Sequence, residues 1–210
     1  WPKSVVQKKF VGADTVVRFA VGNILNSQNT LLLAANTTFD TEISEDLISP
    51  SSMQGQFQRR YLSNNDELDN QLQSQLNRIQ PVEELDDDRK PIGKKTRFQA
   101  GEVLLVRTKK RNANYVALAT FNEHMKATLE VQDFLDGLPL MWSGIRERGD
   151  NSNIDMPLIG TGFSRLKASR RQVFSELVMS LVAATRETRI ADCVTIYLRS
   201  EDFVAGDFSF

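Results

Sequence analysis

Asn29-Thr30-Leu31-Leu32-Leu33-Ala34-Ala35-Asn36 decides the fold. A strand with one wet face alternates apolar and polar residues. An apolar run without a polar break needs cover on both faces, as in a parallel or mixed sheet packed between helices. Upstream, Thr15 to Val21 is rich in β-branched residues and stops at Gly22-Asn23, which predicts a strand and a turn. Downstream, Thr37-Thr38-Phe39-Asp40-Thr41 follows directly on the strand end. Ser51 to Phe57 predicts a short helix opened by a serine cap. Leu68, Leu72, Leu76 and Ile79 recur at helical spacing, with Asn65 or Asp66 as cap and Pro81 as stop.

Residues 81–96 break the pattern. Glu83, Glu84, Asp86, Asp87 and Asp88 run into Arg89, Lys90, Lys94 and Lys95, which reads as a solvated insertion. Strands return at Gly101 to Arg107 and Tyr115 to Phe121, joined as an antiparallel hairpin by the polar residues between them. A helix is expected from about Ala127, with Val131, Phe134, Leu135, Leu138, Trp142 and Ile145 on its apolar stripe and a kink at Pro139. A short strand from Asn153 to Ile159 enters Gly160-Thr161-Gly162. A helix carrying Val173, Phe174, Leu177, Val178, Leu181 and Val182 follows, and Val194 to Leu198 closes the chain's pattern. The order implies an α/β fold over 1–210 as one domain, a mixed sheet sandwiched between helices.

Composition narrows the function. The 210 residues carry 26 Lys+Arg against 27 Asp+Glu, which argues against nucleic acid as a partner. One cysteine, Cys193, and one histidine, His124, exclude an internal disulfide and multi-histidine metal sites. Cys193 opens an apolar run and reads as a buried, inert thiol. No stretch is long and apolar enough to span a membrane. The P-loop, the nucleophile elbow and a Cys/His/Asp constellation are all missing.

In open α/β sheets ligands bind at the carboxyl ends of the strands. Three loops fall there: Gly22-Asn23, Asn36 to Asp40, and Gly160-Thr161-Gly162-Phe163. Two glycines around a threonine let the backbone approach a ligand closely and turn its N–H groups toward an anion. Arg165, Lys167, Arg170 and Arg171 crowd the start of the following helix, where cations are disfavoured unless an anion lies near. Asn36 and Asp40 have the chemistry to hydrogen-bond a ribose or a base. Gly55 and Gln56 sit where a loop or helix start would close over a ligand.

These residues resemble a family. Val21-Gly22-Asn23-Ile24-Leu25 is similar to the Gly-Asp-Ile/Leu entry of macro domains, Ala34-Ala35-Asn36-Thr37 to their Asn-Ala-Asn region, and Pro157-Leu158-Ile159-Gly160-Thr161-Gly162 to their phosphate-binding loop. Nearly the whole chain more closely resembles the macro-like domain of Thoeris anti-phage effectors. Those share a pattern similar to Asn36-Thr37-Thr38-Phe39-Asp40-Thr41 and a Ser-x-x-Gly-Gln stretch, as at Ser52 to Gln56.

The resemblance implies a three-layer α/β/α macro-domain-like fold with a mixed central sheet. It implies a ligand, ADP-ribose or an ADP-ribose conjugate, with no cofactor and no metal. The ligand would be an NAD-derived signal made by a TIR-domain enzyme. Binding would drive homo-oligomerisation and act on a membrane through helices ahead of Trp1. The full-length protein would then lie at the cytoplasmic face of the bacterial inner membrane, and this fragment would be soluble. Gly160, Thr161 and Gly162, with Phe163 beside them, would hold the diphosphate through main-chain N–H groups. Gly22 and Asn23 would lie near the adenine, and Asn36, Thr37 and Asp40 near the distal ribose or its substituent. Asn23 stands where macro domains usually carry an aspartate, so adenine selection would differ. Gly160→Glu is expected to abolish binding with the fold intact. The competing readings are an ADP-ribosyl hydrolase, with Asp40 or Asn36 orienting water, and a self-assembly domain acting through the insertion.

Overall fold

The computed structural model describes residues 5–122, 124–150, 152–160 and 166–200. Its strands are β1 (Val5–Lys9), β2 (Val16–Val21), β3 (Thr30–Asn36), β4 (Glu83–Glu84), β5 (Thr96–Arg97), β6 (Val103–Val106), β7 (Ala113–Phe121), β8 (Ala127–Thr128), β9 (Ile154–Pro157) and β10 (Cys193–Leu198). Its helices are α1 (Met53–Tyr61), α2 (Asn65–Leu76), α3 (Val131–Arg148) and α4 (Arg170–Glu187). The main sheet runs β1-β2-β10-β9-β3-β7-β6, with β8 added to β7, while β4 and β5 pair separately. The five central strands β2, β10, β9, β3 and β7 are parallel, and the terminal strands β1 and β6 are antiparallel to their neighbours.

The deciding run behaves as its composition requires. Leu31, Leu32 and Leu33 are each 0% exposed. Leu32 joins Val17, Phe19, Trp142 and Leu177 in the core under α3 and α4. Leu31 and Leu33 turn the other way, into the core with Phe57, Leu68, Leu72 and Tyr115 under α1 and α2. Burying each leucine contributes about 2 kcal/mol by area. The result is the three-layer α/β/α architecture with a mixed sheet. Trp142 ties the two helices of one layer together, its Nε1–H donating to Ser180 Oγ at 3.0 Å.

Other elements correct the sequence reading. β1 was not foreseen, because all five of its residues are exposed and show no alternation to read. The third long helix starts at Val131 and not near 127, because Ala127 and Thr128 pair with Phe121 and Thr120 as β8. Pro139 lies inside α3. The cap of α2 is Asn64, whose Oδ1 accepts from the Glu67 N–H at 2.8 Å. Ser52 caps α1 as expected, accepting from the Gly55 N–H at 3.0 Å.

Lys90 belongs to the insertion that reads as solvated and Arg111 to a polar hairpin connection, yet both are buried. Arg111 pins the crossover between β2 and β3: its Nε–H donates to Asn29 O at 2.7 Å and its Nη1–H to Ile24 O at 3.2 Å. That bond fixes the loop carrying Asn23. Cys193 is buried with a free thiol. Among the described residues no helix is long and apolar enough to cross a membrane.

The β6 edge is closed by side chains. Gln75 donates to Leu105 O and accepts from Leu105 N–H, both at 2.9 Å. Gln71 does the same for Arg107, at 3.0 and 2.9 Å. One turn apart on α2, the two amides satisfy the outward main-chain groups as a neighbouring strand would.

Candidate functional site

The parallel strands bring three loops to one end of the sheet. Gly22-Asn23 follows β2, Leu158 to Gly160 follow β9, and Thr37 to Asp40 follow β3. In the order β2-β10-β9-β3 the first and last stand three strand spacings apart, about 14 Å.

At the first loop, the Gly22 N–H donates to Leu198 O at 2.8 Å. The exposed Asn23 caps a short 3-10 helix, its Oδ1 accepting from the Leu25 N–H at 2.9 Å. At the second, Gly160 is buried at φ +85, a conformation an L side chain adopts only with strain. A Cβ there would lie 3.1 Å from Leu166 Cδ2. Gly160→Glu therefore strains the backbone and presses on Leu166, which adds a structural cost to the expected loss of binding. Thr161, Gly162 and Phe163, with Arg165, lie outside the described residues. Beyond them α4 opens with a reciprocal cap, Ser169 Oγ accepting from the Gln172 N–H and the Ser169 N–H donating to Gln172 Oε1.

The third loop is the most tightly bonded. Asn36 is 7% exposed, and its Oδ1 accepts from the Asp40 N–H at 3.0 Å. Thr38 Oγ1 lies 3.0 Å from that oxygen and 2.7 Å from Asp40 Oδ2, so one hydroxyl proton serves two acceptors. The Thr37 N–H donates to Ala119 O at 2.8 Å, and Thr37 O accepts from the Phe98 N–H at 2.9 Å. Phe39 takes φ +50 inside this turn, which the Asn36 bonds stabilise.

Asp40 does not face an open mouth. Its side chain is 1% exposed and pairs with the Lys90 ammonium, also 1% exposed, at 2.9 Å. The Lys94 N–H donates to Asp40 Oδ1 at 2.7 Å, and Gln54 Nε2 to Asp40 O at 3.1 Å. Burial lowers the proton affinity of Lys90, and the Asp40 carboxylate beside it works in the opposite direction. Gly93, at φ +79, lets the insertion, a strap over residues 81–96, pass this pair: a Cβ there would sit 2.3 Å from Asp40 Oδ1. The insertion, mostly exposed, is thus fastened to the end of β3 at its centre. Lys90 and Lys94 were missed as partners of Asp40. The only local signal was the Lys90-Pro91-Ile92-Gly93-Lys94 turn between the charge blocks.

Between the strap and the ends of β3 and β7 lies a pocket of about 180 Å³, whose lining includes Thr37, Thr38, Arg89, Lys90, Arg97 and Phe121. Lys90 Nζ stands 5.6 Å from the Phe121 ring centroid. Gly55 and Gln56 serve the start of α1. A Cβ on Gly55 would meet Ser49 O at 2.4 Å, and Gln56 Nε2 donates to Ser51 O at 2.7 Å. Gln54, one residue before them, links that helix to Asp40.

Comparison with known proteins agrees with this layout. The family model for the macro domain of Thoeris protein ThsA matches residues 17–199. Thoeris protein ThsA of Bacillus amyloliquefaciens (strain Y2) is 27% identical over 139 residues, which is 65% of this chain and 45% of that protein. The match thus spans less than half the length of that relative. Among solved structures, an Oceanobacillus iheyensis macrodomain with ADP superposes with a TM-score of 0.60 at 14% identity, covering 94% of this chain and 90% of that one. A Trypanosoma brucei macrodomain in complex with ADP-ribose gives 0.53 at 12% identity, covering 88% and 65%. At such identities the likeness shows the fold, and the fold is that of a macro domain. Together with the family match over most of its length, this places the chain in the Thoeris ThsA macro-domain family.

Proposed function

We propose that the end of the sheet where β2, β9 and β3 terminate binds an ADP-ribose-derived nucleotide, and that the domain acts as its sensor in anti-phage defence. The observation that carries this reading is the convergence of Gly22-Asn23, Gly160 and Asn36-Thr37 on that one end, in a chain of the Thoeris family. The ADP and ADP-ribose of the two macrodomain structures support the ligand class. The main chain of Gly160, Thr161 and Gly162, with Phe163 alongside, holds the diphosphate. Gly22 and Asn23 border the adenine. Asn36 and Thr37 border the distal ribose, with Asp40 shaping that loop from behind through Lys90. Gly55 and Gln56 belong to the helix start that backs the same loop.

Sensing is favoured over hydrolysis by the bonding of the β3 loop. Asp40 is buried against Lys90 and Lys94, and Asn36 Oδ1 already accepts from the loop itself. Neither the Asp40 carboxylate nor the Asn36 Oδ1 is an open acceptor for an attacking water. Binding then promotes assembly of copies, and action on a membrane belongs to segments outside this chain.

Titration calorimetry with ADP-ribose, its imidazole and amino-acid conjugates, and cyclic ADP-ribose isomers tests the reading. Saturable binding of at least one below millimolar concentration is expected; silence from all of them ends it. Incubation with an ADP-ribosylated protein is expected to leave the modification in place, and its release would replace the sensor by an enzyme.

A further inference from the structure

The two ends of the main sheet are treated differently. Along β6 the Gln71 and Gln75 amides satisfy outward main-chain groups. β1 lies at the other end of the strand order, paired on one side with β2 through five residues, and among the described residues no strand lies beyond it. All five of its residues are exposed, Val5 at 47% and Val6 at 50%. Such an edge offers donors and acceptors to a further strand, and lysines are its usual guard. β1 carries two, Lys8 and Lys9. Whether they bar pairing depends on what they face. In an antiparallel pair related by a two-fold axis, each residue has one fixed opposite. Centred on Gln7, Val5 meets Lys9, Val6 meets Lys8 and Gln7 meets its own copy, so all five residues pair and no lysine opposes a lysine. Centred on Lys8, only three residues pair and lysine opposes lysine, while centring on Val6 also leaves three. Parallel pairing in register sets both lysines against their copies. The lysines thus select one register, in which their apolar stems cover half-exposed valines and their charged heads stay in water.

We propose that β1 is a docking edge for the β1 of a second copy of this chain, joined antiparallel about a two-fold axis through Gln7. The axis returns each face of the sheet to the same face, so the sheet continues across the pair with its helical layers on matching sides. Five residues of strand are ~16 Å long, and a contact this short falls below the ~1,200 Å² of stable interfaces, so the pairing is weak and the dilute chain stays single. The inference does not require that the sheet end binds a nucleotide, and silence in calorimetry would leave it untouched.

Disulfide trapping reads the register. Gln7→Cys and Val5→Cys chains are each oxidised with glutathione disulfide; the native Cys193 is buried. Across the axis the two copies of position 7 lie directly opposite, with Cα atoms ~4.5–5.5 Å apart and within disulfide reach. The two copies of position 5 are four residues apart along the strands, ~13 Å, and beyond it. Linked dimer is expected ~10-fold faster from Gln7→Cys than from Val5→Cys, since the second pair cannot bridge without backbone movement. Equal rates overturn the proposal. Added to Gln7→Cys, Val6→Glu sets a carboxylate opposite Lys8 and is expected to speed linking about fivefold, the scale of two cross-strand ion pairs, while Val6→Lys slows it by a similar factor. Rates moved the same way by both, or by neither, also overturn it. All three positions are exposed, so the fold is retained in every variant.

Discussion

Lys90 and Asp40 show how much one buried pair controls. Each is 1% exposed, so removing one partner strands a charge in a low-dielectric setting. Lys90→Met is expected to cost about 3–5 kcal/mol in denaturant unfolding, and Lys90→Met with Asp40→Asn to recover most of it. An equal loss in single and double variants would show that the pair's charges do not matter. Tyr115 gives a second test. It is 0% exposed, its hydroxyl has no hydrogen-bond partner, and burial pushes its ionisation well above the ordinary 10. Gln58 lies beside the phenol without bonding geometry. Above pH ~10 the unfolded chain releases this proton while the folded chain keeps it, so stability falls as pH rises. Tyr115→Phe should be close to neutral at pH 7 and gain on the wild type by up to about 1.4 kcal/mol per pH unit above 10. Lys90, depressed by burial, gives the opposite slope, but it is common to both proteins and cancels in the difference. None of this was legible in the sequence. Asp40 and Lys90 are separated by 50 positions, and Arg111 reaches back 82 to Asn29. Charge patterning within a short window cannot reveal partners so far apart.

Among the elements, the long apolar strands were legible and the exposed edge strand β1 was not. The apolar run from Leu31 to Ala35 announces a strand covered on both faces, because only burial on each side tolerates it. β1 offers no such signal, since a fully exposed edge strand has no apolar face. The helical spacing of Leu68, Leu72 and Leu76 located α2, but that stripe says nothing of the opposite duty of Gln71 and Gln75. Their four bonds to β6 complete a strand edge that would otherwise present bare donors and acceptors. Gln71→Ala with Gln75→Ala is expected to cost about 1–3 kcal/mol and to produce concentration-dependent self-association in light scattering. A double variant that stays monomeric at every concentration would mean that the amides are decorative. Of the candidate site, the loops at the strand ends were legible from their small and amide residues. The strap over them was not, because its composition is that of a solvated linker.

For the whole molecule, a mixed sheet between helices followed from strand and helix alternation, and the macro-domain resemblance implied the same three layers; the strand order β1-β2-β10-β9-β3-β7-β6 was not legible, because alternation does not say which strands pair. The proposed sensor makes one claim at this scale: binding changes how copies associate. Sedimentation of the chain with and without the nucleotide found by calorimetry should show a larger species only in its presence. A mass that ligand never alters would reduce the domain to a passive binder.

The amide-capped edge has a consequence for any such assembly. A sheet can be extended by another copy only where a terminal strand still offers its backbone, and on this chain α2 has taken that place along β6. Among the described residues β1 is the other end of the strand order, and the one further edge, β8 beside β7, is only two residues long. Two copies meeting at β1 back to back would turn both stoppered rims outward. Joining by strand addition would then halt at a pair instead of running on into a filament, and a larger array would have to be built through helices or loops.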